Sequence, residues 1–564
     1  MYFLGISSGF HDPAVALIRD NKILAFVEEE RFNRIKHSPG YFPHRALEWV
    51  LKKEGIKISD VDKISYYFNP KMFSTSNNFF TYIKSSPDNT SFIKKIITSP
   101  LRITDAYRYK QRISKIPKIG LKEHFKYNAN KIEFIEHHIC HATSSYFLSG
   151  MKKSNILTID AVGEKTTTFM GLGKNSEIEK IKEINLPNSL GFFYIAVTQF
   201  LGFEPNEGEG KVMGLAPYGD KFLSVFENFV KITKSGFEVD PKIYSVGDIY
   251  YTKKMIEKLG QPRLPSEPLE KRHMDIAYSL QERLEQVALH LVEKLVETTG
   301  NKNLCLAGGV SLNCKMNGRI LESGLIDDIF IQPAAGDAGC ALGAALWLAH
   351  EEGFKFKKMD HIYFGPEYSN EEVEKALKTA NLKYEEISDP SGTAAELLAQ
   401  GKIVGWFQGR MEAGPRALGN RSILADPRDP EIKDKLNYLV KHREPFRPFC
   451  PSMLDKAKKE YLENAYESPF MILSFRVPEE KRKEIPGVVH VDGTVRPQTV
   501  TKEANPKYYK LISEFEKLTG VPVVLNTSFN VKGEPMVCKP EQAIADFYST
   551  GMDALIINDF LVAK

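Results

Sequence analysis

The chain has 564 residues, 42% of them hydrophobic and 26% charged, with 76 Lys and Arg against 72 Asp and Glu. These fractions are typical of globular proteins and exclude a disordered or fibrous chain, while the length indicates roughly two to four domains. The net charge of +4 is too small to indicate nucleic acid, no apolar run reaches the ~18 residues of a membrane span, and the start lacks a secretory signal.

The first half of the chain shows a repeated pattern. Short apolar runs at 2–6, 14–18 and 23–27 predict strands, and 155–160 with 167–171 repeats the order of strand, polar turn and strand. A duplicated unit of this kind builds the fold of actin, of sugar kinases and of the Hsp70 ATPase, which holds its ligand in a cleft between the halves. We therefore expect an α/β protein with a duplicated, actin-like first domain.

Helical periodicity follows at several places. The spacing of apolar residues predicts helices over 43–53, 274–299, 340–349, 370–380 and 392–400. The charged stretch at 351–362 indicates a boundary, so we predict domains over 1–362 and 363–564. The segment of about 71–131 carries 13 Lys and Arg against three acids. It is expected to be an insertion, either a solvated helical one or a basic lid over an anionic or polyhydroxylated substrate.

A cluster of metal-type ligands is predicted in the first domain. His137 and His141 are four residues apart, so both lie on one face if the segment is helical. Asp160 ends a predicted strand, and Asp337 lies in a glycine-flanked turn where strands around a cleft would end. Two imidazoles and two carboxylates suit Fe, Mn or Zn better than Ca or Mg. His138 should point elsewhere and be structural.

Two glycine-rich segments of the first domain are candidates for ligand contact. A strand that runs into Gly308 and Gly309 would let backbone amides approach a nucleotide, and Ser311 and Asn313 could hydrogen-bond its ribose or base. The segment 206–219 has four glycines among charged residues. It is expected to be irregular, either a flexible loop or a loop that shapes a ligand site.

The second domain has cations set among Gly, Pro and Phe. Three arginines lie in the glycine-rich segment 409–422, Lys441 and Arg447 follow, and Arg496 comes later. Arg binds phosphate in a bidentate way and Lys supplies a point charge. A solvated charge run would not interleave such residues, so this set is interpreted as a phosphate site. It is neither a Walker loop nor a dinucleotide fingerprint.

Together these motifs closely resemble one family, the ATP-dependent O-carbamoyltransferases of nodulation-factor and antibiotic biosynthesis. The resemblance covers nearly the whole chain and rests on GFHD (9–12), EEERFNRIKH (28–37), the histidine pair, GEGK (208–211), GGVSLN (308–313), GD (336–337) and EAGPRALGNRS (412–422). It implies a ribonuclease-H-type N-terminal domain like the ATPase-fold protein of tRNA threonylcarbamoyl transfer. It also implies a C-terminal α+β domain resembling threonylcarbamoyl-adenylate synthase.

The resemblance implies two reactions. In the C-terminal domain, carbamoyl phosphate is cleaved, and carbamate reacts with ATP and Mg²⁺ to give carbamoyl adenylate and pyrophosphate. In the N-terminal domain, a hydroxyl of the acceptor attacks the carbamoyl carbon and AMP leaves.

The resemblance also assigns residues to these reactions. The carbamoyl phosphate and ATP site would contain Arg416, Lys441, Arg447, Arg496, Asn526 and Ser528. An iron ion, with Mn²⁺ or Zn²⁺ as alternatives, would bind His137, His141, Asp160 and Asp337. The adenosine would face Gly309, Ser311 and Asn313. Either His11 or Asp12 would take the acceptor proton, and Lys36 would stabilise charge on the carbamoyl oxygen or the phosphate.

The expected partner is a small hydroxylated acceptor of secondary metabolism. Six scattered cysteines without a Cys-x-x-Cys pair indicate free thiols in a cytoplasmic protein. The stretch 71–131 matches no motif of the family, so the acceptor stays open, and a homodimer is one option for assembly. Three alternatives remain: an actin-fold kinase or ATPase, a zinc peptidase, which would need Glu in place of His138, and an Hsp70-like binding module.

Overall fold

The computed structural model describes residues 1–72, 114–129 and 131–564, so most of the predicted basic insertion lies outside the described residues. The protein has a mixed α/β fold and divides into two compact units. The first unit comprises Met1–Leu24 and Pro39–Lys358, and the second comprises Ala25–Ser38 and Met359–Lys564. The sequence predicted one break at 362/363. The segment Ala25–Ser38 departs from that prediction because its side chains bind other parts of the second unit.

Two five-stranded sheets form the framework of the first unit. The first sheet contains β1 (Tyr2–Ser7), β2 (Ala14–Arg19), β3 (Lys22–Glu28, of which the part up to Leu24 belongs to the first unit), β4 (Lys63–Tyr66) and β5 (Glu133–Phe134). The second contains β6 (Lys153–Ile159), β7 (Thr166–Lys174), β8 (Glu177–Asn185), β9 (Asn303–Ala307) and β10 (Asp328–Ile331).

The two sheets have the same topology. Their strand orders are β3-β2-β1-β4-β5 and β8-β7-β6-β9-β10, so equivalent strands hold equivalent places. In each sheet the first strand pairs antiparallel with the second and parallel with the fourth. The central strands β1 and β6 are buried along nearly their whole length, which fits their continuous apolar runs. The predicted internal repeat is therefore present in the fold.

Nine helices are described in the first unit besides short 3₁₀ turns and the helical residues 114–125. They are α1 (His44–Glu54), α2 (His137–Tyr146), α3 (Leu190–Phe200), α4 (Glu209–Leu215), α5 (Val225–Phe229), α6 (Lys253–Leu259), α7 (Lys271–Thr299), α8 (Cys314–Glu322) and α9 (Asp337–Glu351). A small hairpin pairs Val230–Thr233 with Gly236–Val239. No described helix is long and apolar enough to cross a bilayer.

The helix α4 corrects the prediction that 206–219 is irregular. The Glu209 side chain accepts the N–H of Asn206 at 3.0 Å, and Val212 and Leu215 are fully buried. Burial of these apolar residues and the contact between Glu209 and Asn206 outweigh the low helix propensity of the glycines.

Helix α9 packs against β1 and α2 at positions where only glycine fits. A Cβ on Gly5 would lie 1.9 Å from the carbonyl oxygen of Ala341, and one on Gly343 would lie 1.9 Å from that of Cys140. Packed interiors have no room for such an atom. The two glycines therefore allow α9 to approach β1 and α2 closely, which brings its first residue, Asp337, near the histidine-bearing face of α2.

An eight-stranded sheet is the framework of the second unit. Its strands are β11 (Glu385–Glu386), β12 (Val404–Phe407), β13 (Arg421–Ala425), β14 (Cys450–Leu454), β15 (Gln498–Val500), β16 (Val523–Ser528), β17 (Ala554–Ile557) and β18 (Phe560–Ala563), in the order β11-β18-β17-β12-β13-β16-β14-β15. A two-stranded sheet pairs Phe475–Arg476 with Thr494–Val495.

Helices cover this sheet, and a short helix, Glu30–Asn33, lies in the segment Ala25–Ser38. The others are α10 (Asn370–Thr379), α11 (Pro390–Ala399), α12 (Ile432–Leu436), α13 (Lys458–Tyr461), α14 (Glu479–Arg482), α15 (Pro506–Thr519) and α16 (Pro540–Ser549). The core packs Trp406 and Val524 of the sheet against Leu398 of α11 and Phe515 of α15. All six cysteines of the chain are buried and free, as predicted.

Candidate functional site

Four buried side chains of the first unit converge on one point. They offer one donor atom each within 4.8 Å of one another, and they are His137, His141, Asp160 and Asp337. The Nε2 atoms of the two histidines are 3.1 Å apart, and that of His141 is 2.9 Å from Oδ2 of Asp160. Oδ1 of Asp337 is 3.8 Å from Nε2 of His137. The residues predicted as metal ligands are thus brought together.

Local structure explains this convergence. His137 and His141 are one turn apart on α2, so their rings lie on the same face. Asp160 directly follows β6, the central strand of the second sheet, and Asp337 begins α9. The N–H of Gly309 also donates to Oδ2 of Asp160 at 3.3 Å, which ties the end of β9 to the same carboxylate.

The donor set fits a divalent transition metal. Ligands bound about 2.0–2.2 Å from one ion lie roughly 3 Å from one another, close to the shorter separations above. Both Nδ1 atoms are buried without a hydrogen-bond partner, so the polar contacts of His137 and His141 are made through Nε2. Burial opposes the charged form of Asp160, but hydrogen bonds from both histidines outweigh it and hold its pKa well below the usual value. A mixed imidazole and carboxylate set suits Fe, Mn or Zn.

The predicted acid–base pair lies in the same unit. Nδ1 of His11 is 2.9 Å from Oδ2 of Asp12, whose φ of 50° is left-handed. Desolvation lowers the pKa of His11, but the carboxylates of Asp337, Asp12 and Asp160 raise it to about 10. A cation beside the same carboxylates would oppose that rise. The choice between His11 and Asp12 as the base stays a prediction.

Two supporting residues were not found from the sequence. Glu164 accepts the backbone N–H groups of Asn69 at 2.6 Å and of His137 at 3.1 Å, so it fixes the start of α2. Tyr67 Oη donates to Oδ2 of Asp337 at 3.4 Å. A buried Glu after the Asp160 strand was the available signal for Glu164, but its partners are distant in sequence.

The histidine between the two predicted ligands makes contacts of its own, outside the donor cluster. His138 contacts Oγ1 of Thr158 through Nδ1 at 2.6 Å and the carbonyl of Thr166 through Nε2 at 2.9 Å. Burial lowers the pKa of His138 well below its usual value, which favours the neutral ring. It joins α2 to β6 and β7.

The predicted adenosine residues already have partners in the protein. Gly308 has a φ of 89°, and a Cβ there would lie 2.3 Å from the carbonyl of Ile159, so the turn requires glycine. Ser311 is fully buried and donates to the carbonyl of Ala307 at 2.7 Å. Asn313 caps α8 through the N–H of Met316. The roles of Gly309, Ser311 and Asn313 toward adenosine stay predictions.

In the second unit, Lys441 is the centre of a cationic cluster. Its Nζ donates to the carbonyl of Asn530 at 2.9 Å and to Oδ1 of Asn530 at 2.8 Å, and it also contacts Ser528. Burial lowers the pKa of Lys441 well below its usual value, and the charges of Arg443 and Arg447 add to this effect. A buried amine among cations would be stabilised by an anionic ligand.

The arginines around Lys441 are held by defined contacts. The guanidinium of Arg443 lies 4.2 Å from the ring centre of Phe449, and burial with the neighbouring Arg447 lowers its pKa to about 9. Arg447 pairs with Glu444 at 3.5 Å. Arg496 donates to Sγ of Cys450 at 2.9 and 3.2 Å. The sequence did not single out Arg443, although it lies between two predicted residues.

The three arginines of the segment 409–422 have different environments. Arg421 is fully buried and donates to carbonyl groups, including those of Gln408 at 2.7 Å and Pro366 at 3.0 Å. Arg410 donates to the carbonyl of Phe364 at 2.6 Å. Arg410 and Arg421 are therefore structural, and Arg416 is the member of the three that stays a predicted phosphate ligand.

The predicted polar contacts of this site lie on β16. Asn526 donates to Oγ of Ser452 at 3.0 Å and to the carbonyl of Ala417 at 3.2 Å, while its Oδ1 is buried without a hydrogen-bond partner. Ser528 donates to Oδ1 of Asn530 at 2.6 Å. Both residues therefore lie beside the segments that carry Arg416 and Lys441.

The role predicted for Lys36 stays a prediction. This lysine was assigned to carbamoyl transfer in the first domain, but it belongs to the segment Ala25–Ser38 of the second unit. Arg34, two residues earlier, donates to the carbonyls of Pro535 and Met536 at 2.9 and 2.6 Å. The charge of Lys36 also contributes to lowering the pKa of Lys441. Within the second unit it therefore adds to the cationic cluster.

Comparison with family models decides the class of protein. The model described as carbamoyltransferase N-terminus matches residues 2–346, and that described as carbamoyltransferase C-terminus matches residues 395–564. The chain belongs to the carbamoyltransferase family. It is therefore a transferase enzyme, and the family predicted from the motifs is confirmed.

Relatives match this carbamoyltransferase over most of its length. Nodulation protein NolNO of Sinorhizobium fredii is 38% identical over 98% of this chain and 79% of its own. Nodulation protein NolO of Bradyrhizobium diazoefficiens is 41% identical over 76% of this chain and 79% of its own. An uncharacterized protein of Synechocystis sp. is 39% identical over 100% of this chain and 97% of its own.

Solved structures resemble the carbamoyltransferase more weakly. Component A of the (R)-2-hydroxyglutaryl-CoA dehydratase of Acidaminococcus fermentans aligns with 63% of this chain and 99% of its own, at 15% identity and a TM-score of 0.35. The ROK hexokinase of Thermus thermophilus aligns with 62% and 100%, at 13% identity and a TM-score of 0.28. Scores this low do not establish a shared fold.

Proposed function

We propose that this carbamoyltransferase is an ATP-dependent O-carbamoyltransferase that works in two steps. The second unit would form carbamoyl adenylate from carbamoyl phosphate and ATP with Mg²⁺. The first unit would then transfer the carbamoyl group to a hydroxyl of a small natural-product acceptor. The duplicated strand order of the first unit supports an actin-like fold, and for the second unit we propose a fold like that of threonylcarbamoyl-adenylate synthase.

The observation that carries this proposal is the cationic cluster around Lys441. Lys441, Arg443 and Arg447 carry like charges in a largely buried site, and burial depresses the pKa of Lys441 and of Arg443. Holding such charges together is costly unless an anion compensates them. Carbamoyl phosphate and the triphosphate of ATP would supply that compensation, and the cations would stabilise charge that develops during phosphoryl chemistry.

The chemistry of the first step would proceed by displacement. Water would cleave carbamoyl phosphate to carbamate and phosphate, and a carbamate oxygen would then attack the α-phosphorus of ATP. The bond between the α-phosphorus and its bridging oxygen would break, and pyrophosphate would leave. Arg416, Lys441 and Arg447 would hold the phosphate oxygens through this exchange, and Arg496, Asn526 and Ser528 would complete the pocket.

The second step would use the donor cluster of the first unit. His137, His141, Asp160 and Asp337 would hold a divalent metal ion, which would polarise the phosphate of carbamoyl adenylate. The acceptor hydroxyl would attack the carbamoyl carbon while His11 or Asp12 takes its proton, and AMP would leave. The product would be a carbamate ester of the acceptor.

The proposal is tested by separating the two half-reactions. We expect AMP, pyrophosphate and an acceptor with the added mass of a carbamoyl group when the enzyme is incubated with ATP, Mg²⁺, carbamoyl phosphate and hydroxylated candidates. Lys441→Met should abolish adenylate formation but leave transfer from supplied carbamoyl adenylate largely intact. Asp337→Asn should do the reverse. Lys435→Met, at an exposed lysine paired with Asp429, is the matched control and should change neither step.

Three outcomes would contradict the proposal. ADP as the sole nucleotide product would favour the alternative of an actin-fold kinase or ATPase. Loss of the same half-reaction in both variants would refute the division of labour between the units. Carbamoylation of an acceptor without consumption of ATP would refute carbamoyl adenylate as the intermediate.

A further inference from the structure

The acidic and basic motif at residues 28–31 has no role in the mechanism proposed above. Glu28 and Arg31 are only 4% and 3% exposed. Charged side chains are almost never buried to this degree unless they are paired or bind polar groups. Both residues lie in Ala25–Ser38, the segment that belongs to the second unit.

These two side chains both hydrogen-bond the backbone of Gly414, another residue of the second unit. Oε1 of Glu28 accepts the N–H of Gly414 at 2.5 Å, and Nη2 of Arg31 donates to the carbonyl oxygen of Gly414 at 2.7 Å. The pair is closed by Nε of Arg31, 3.3 Å from Oε2 of Glu28, and Nη1 of Arg31 lies 2.9 Å from Oε1 of Glu30. One ion pair thus fixes both peptide groups of Gly414.

The opposite side of the same turn is fixed by another buried carboxylate. Oε1 of Glu412 accepts the backbone N–H groups of Leu418 at 2.6 Å, Asn420 at 3.2 Å and Arg421 at 3.3 Å. Gly414 itself has a φ of 90°, which allows the chain to turn there. The stretch between Gly414 and Leu418, which contains Arg416, is therefore anchored at both ends.

We propose that Glu28 and Arg31 are positioning residues that hold the Arg416 turn in the geometry that binds the phosphate of the substrate. This inference rests on the proposed function, in which Arg416 is a phosphate ligand. In this role Arg31 and Glu28 would act through Gly414 rather than by binding the substrate. The motif at 28–31 thereby serves the adenylate-forming site, although it lies near the N-terminus of the sequence.

The variants Arg31→Lys and Glu28→Gln test the inference. Lys cannot contact Gly414 and both carboxylates in the forked geometry of Arg, and Gln loses the charge that binds Arg31. We expect kcat/KM for pyrophosphate release to fall on the order of 100-fold, because a small misplacement of a binding group has effects of this size. This fall should result largely from an increase in KM for carbamoyl phosphate, with a smaller change in kcat. Transfer from supplied carbamoyl adenylate should be unchanged.

Two controls separate positioning from a loss of stability. Arg428→Lys alters an arginine–carboxylate pair with Asp426 in the same unit that makes no contact with Gly414, and it should leave both half-reactions unchanged. In an Arg416→Ala background, Arg31→Lys should cause no further loss of pyrophosphate binding, measured by calorimetry. A purely structural role would give an additional loss in that background.

Each outcome decides the inference. Wild-type KM and pyrophosphate affinity in Arg31→Lys would overturn the positioning role while leaving the proposed function standing. An additive loss in the double variant would overturn it as well. An unmodified enzyme that neither binds pyrophosphate nor releases it from ATP would refute the proposed function, and the positioning role with it.

Discussion

Substitution of Gly343 by Ala should separate the ligands of the candidate metal site. The new Cβ would lie 1.9 Å from the carbonyl oxygen of Cys140 on α2, whereas real Cβ contacts are essentially never under 3.0 Å. Helices α2 and α9 must therefore move apart by at least about 1.1 Å at this point. Because the obstacle is backbone rather than a flexible side chain, the cost should reach about 3 kcal/mol, the upper part of the range for overpacked cores.

The effect on the metal should be clearer than the effect on stability. Asp337 is on α9 and both histidines are on α2, so the shift acts directly on the donor distances. Metal sites tolerate deviations of only about 0.2 Å, and disturbance of supporting contacts costs roughly 10–100-fold in affinity. We expect Gly343→Ala to lose at least about 10-fold in affinity for Fe²⁺, Mn²⁺ or Zn²⁺, measured by equilibrium dialysis with elemental analysis.

The control is Gly210→Ala. Gly210 lies on the exposed face of α4, and a Cβ there meets no atom within 4 Å. This variant should be unchanged in metal affinity and more stable by up to about 1 kcal/mol. If Gly343→Ala keeps the melting temperature and the metal content of the unmodified protein, the argument from close packing of α9 on α2 is refuted.

Two further predictions concern charged groups. Burial, with the charges of Glu164 and Glu183, raises the pKa of Glu136 to about 7. Because the pKa is raised in the folded state, the contribution of this carboxyl to stability is fully present below about pH 4.5, the unfolded pKa. It is lost as the pH rises from about 4.5 through 7. The free energy of unfolding of Glu136→Gln, taken relative to that of the unmodified protein, should therefore rise by about 2 kcal/mol from pH 5 to pH 8, after allowance for solvent screening. Urea unfolding at both pH values measures this, and a difference independent of pH contradicts it. Arg421→Lys leaves buried carbonyl groups without donors and should cost about 3 kcal/mol. An unchanged urea midpoint would show that water replaces the guanidinium.

Local patterns predicted much of this fold. Apolar periodicity located α7 and α9, and the strand pattern revealed the repeat that appears as two sheets of equal topology. The spacing of His137 and His141 placed both on one helical face because a helix has a fixed period. Propensity alone was misleading for α4, where burial of apolar side chains overrode the glycines.

Contacts between distant parts of the chain were beyond the sequence. Nothing local marks Glu28 and Arg31 as partners of Gly414, almost 400 residues later, so the sequence predicted the first domain for their segment. The sequence also could not show which arginines of the segment 409–422 bind backbone carbonyls and which would bind phosphate, because both kinds of oxygen accept hydrogen bonds from a guanidinium. Arg421 in its ring of carbonyls shows that a cation in a glycine-rich loop is not by itself a ligand contact.

The course of the chain through Ala25–Ser38 limits how this enzyme can be divided. A fragment that begins at Met359 would lack the ion pair on Gly414 and the contacts of Arg34 with Pro535 and Met536. Buried polar groups of the 409–422 loop would then face solvent or remain without partners. The second half of the chain is therefore not a complete folding unit by itself. Recombination at the apparent boundary would separate it from Ala25–Ser38, which belongs to the same unit. A functional fragment would need the 14 residues of Ala25–Ser38 restored, by fusion or as a second chain.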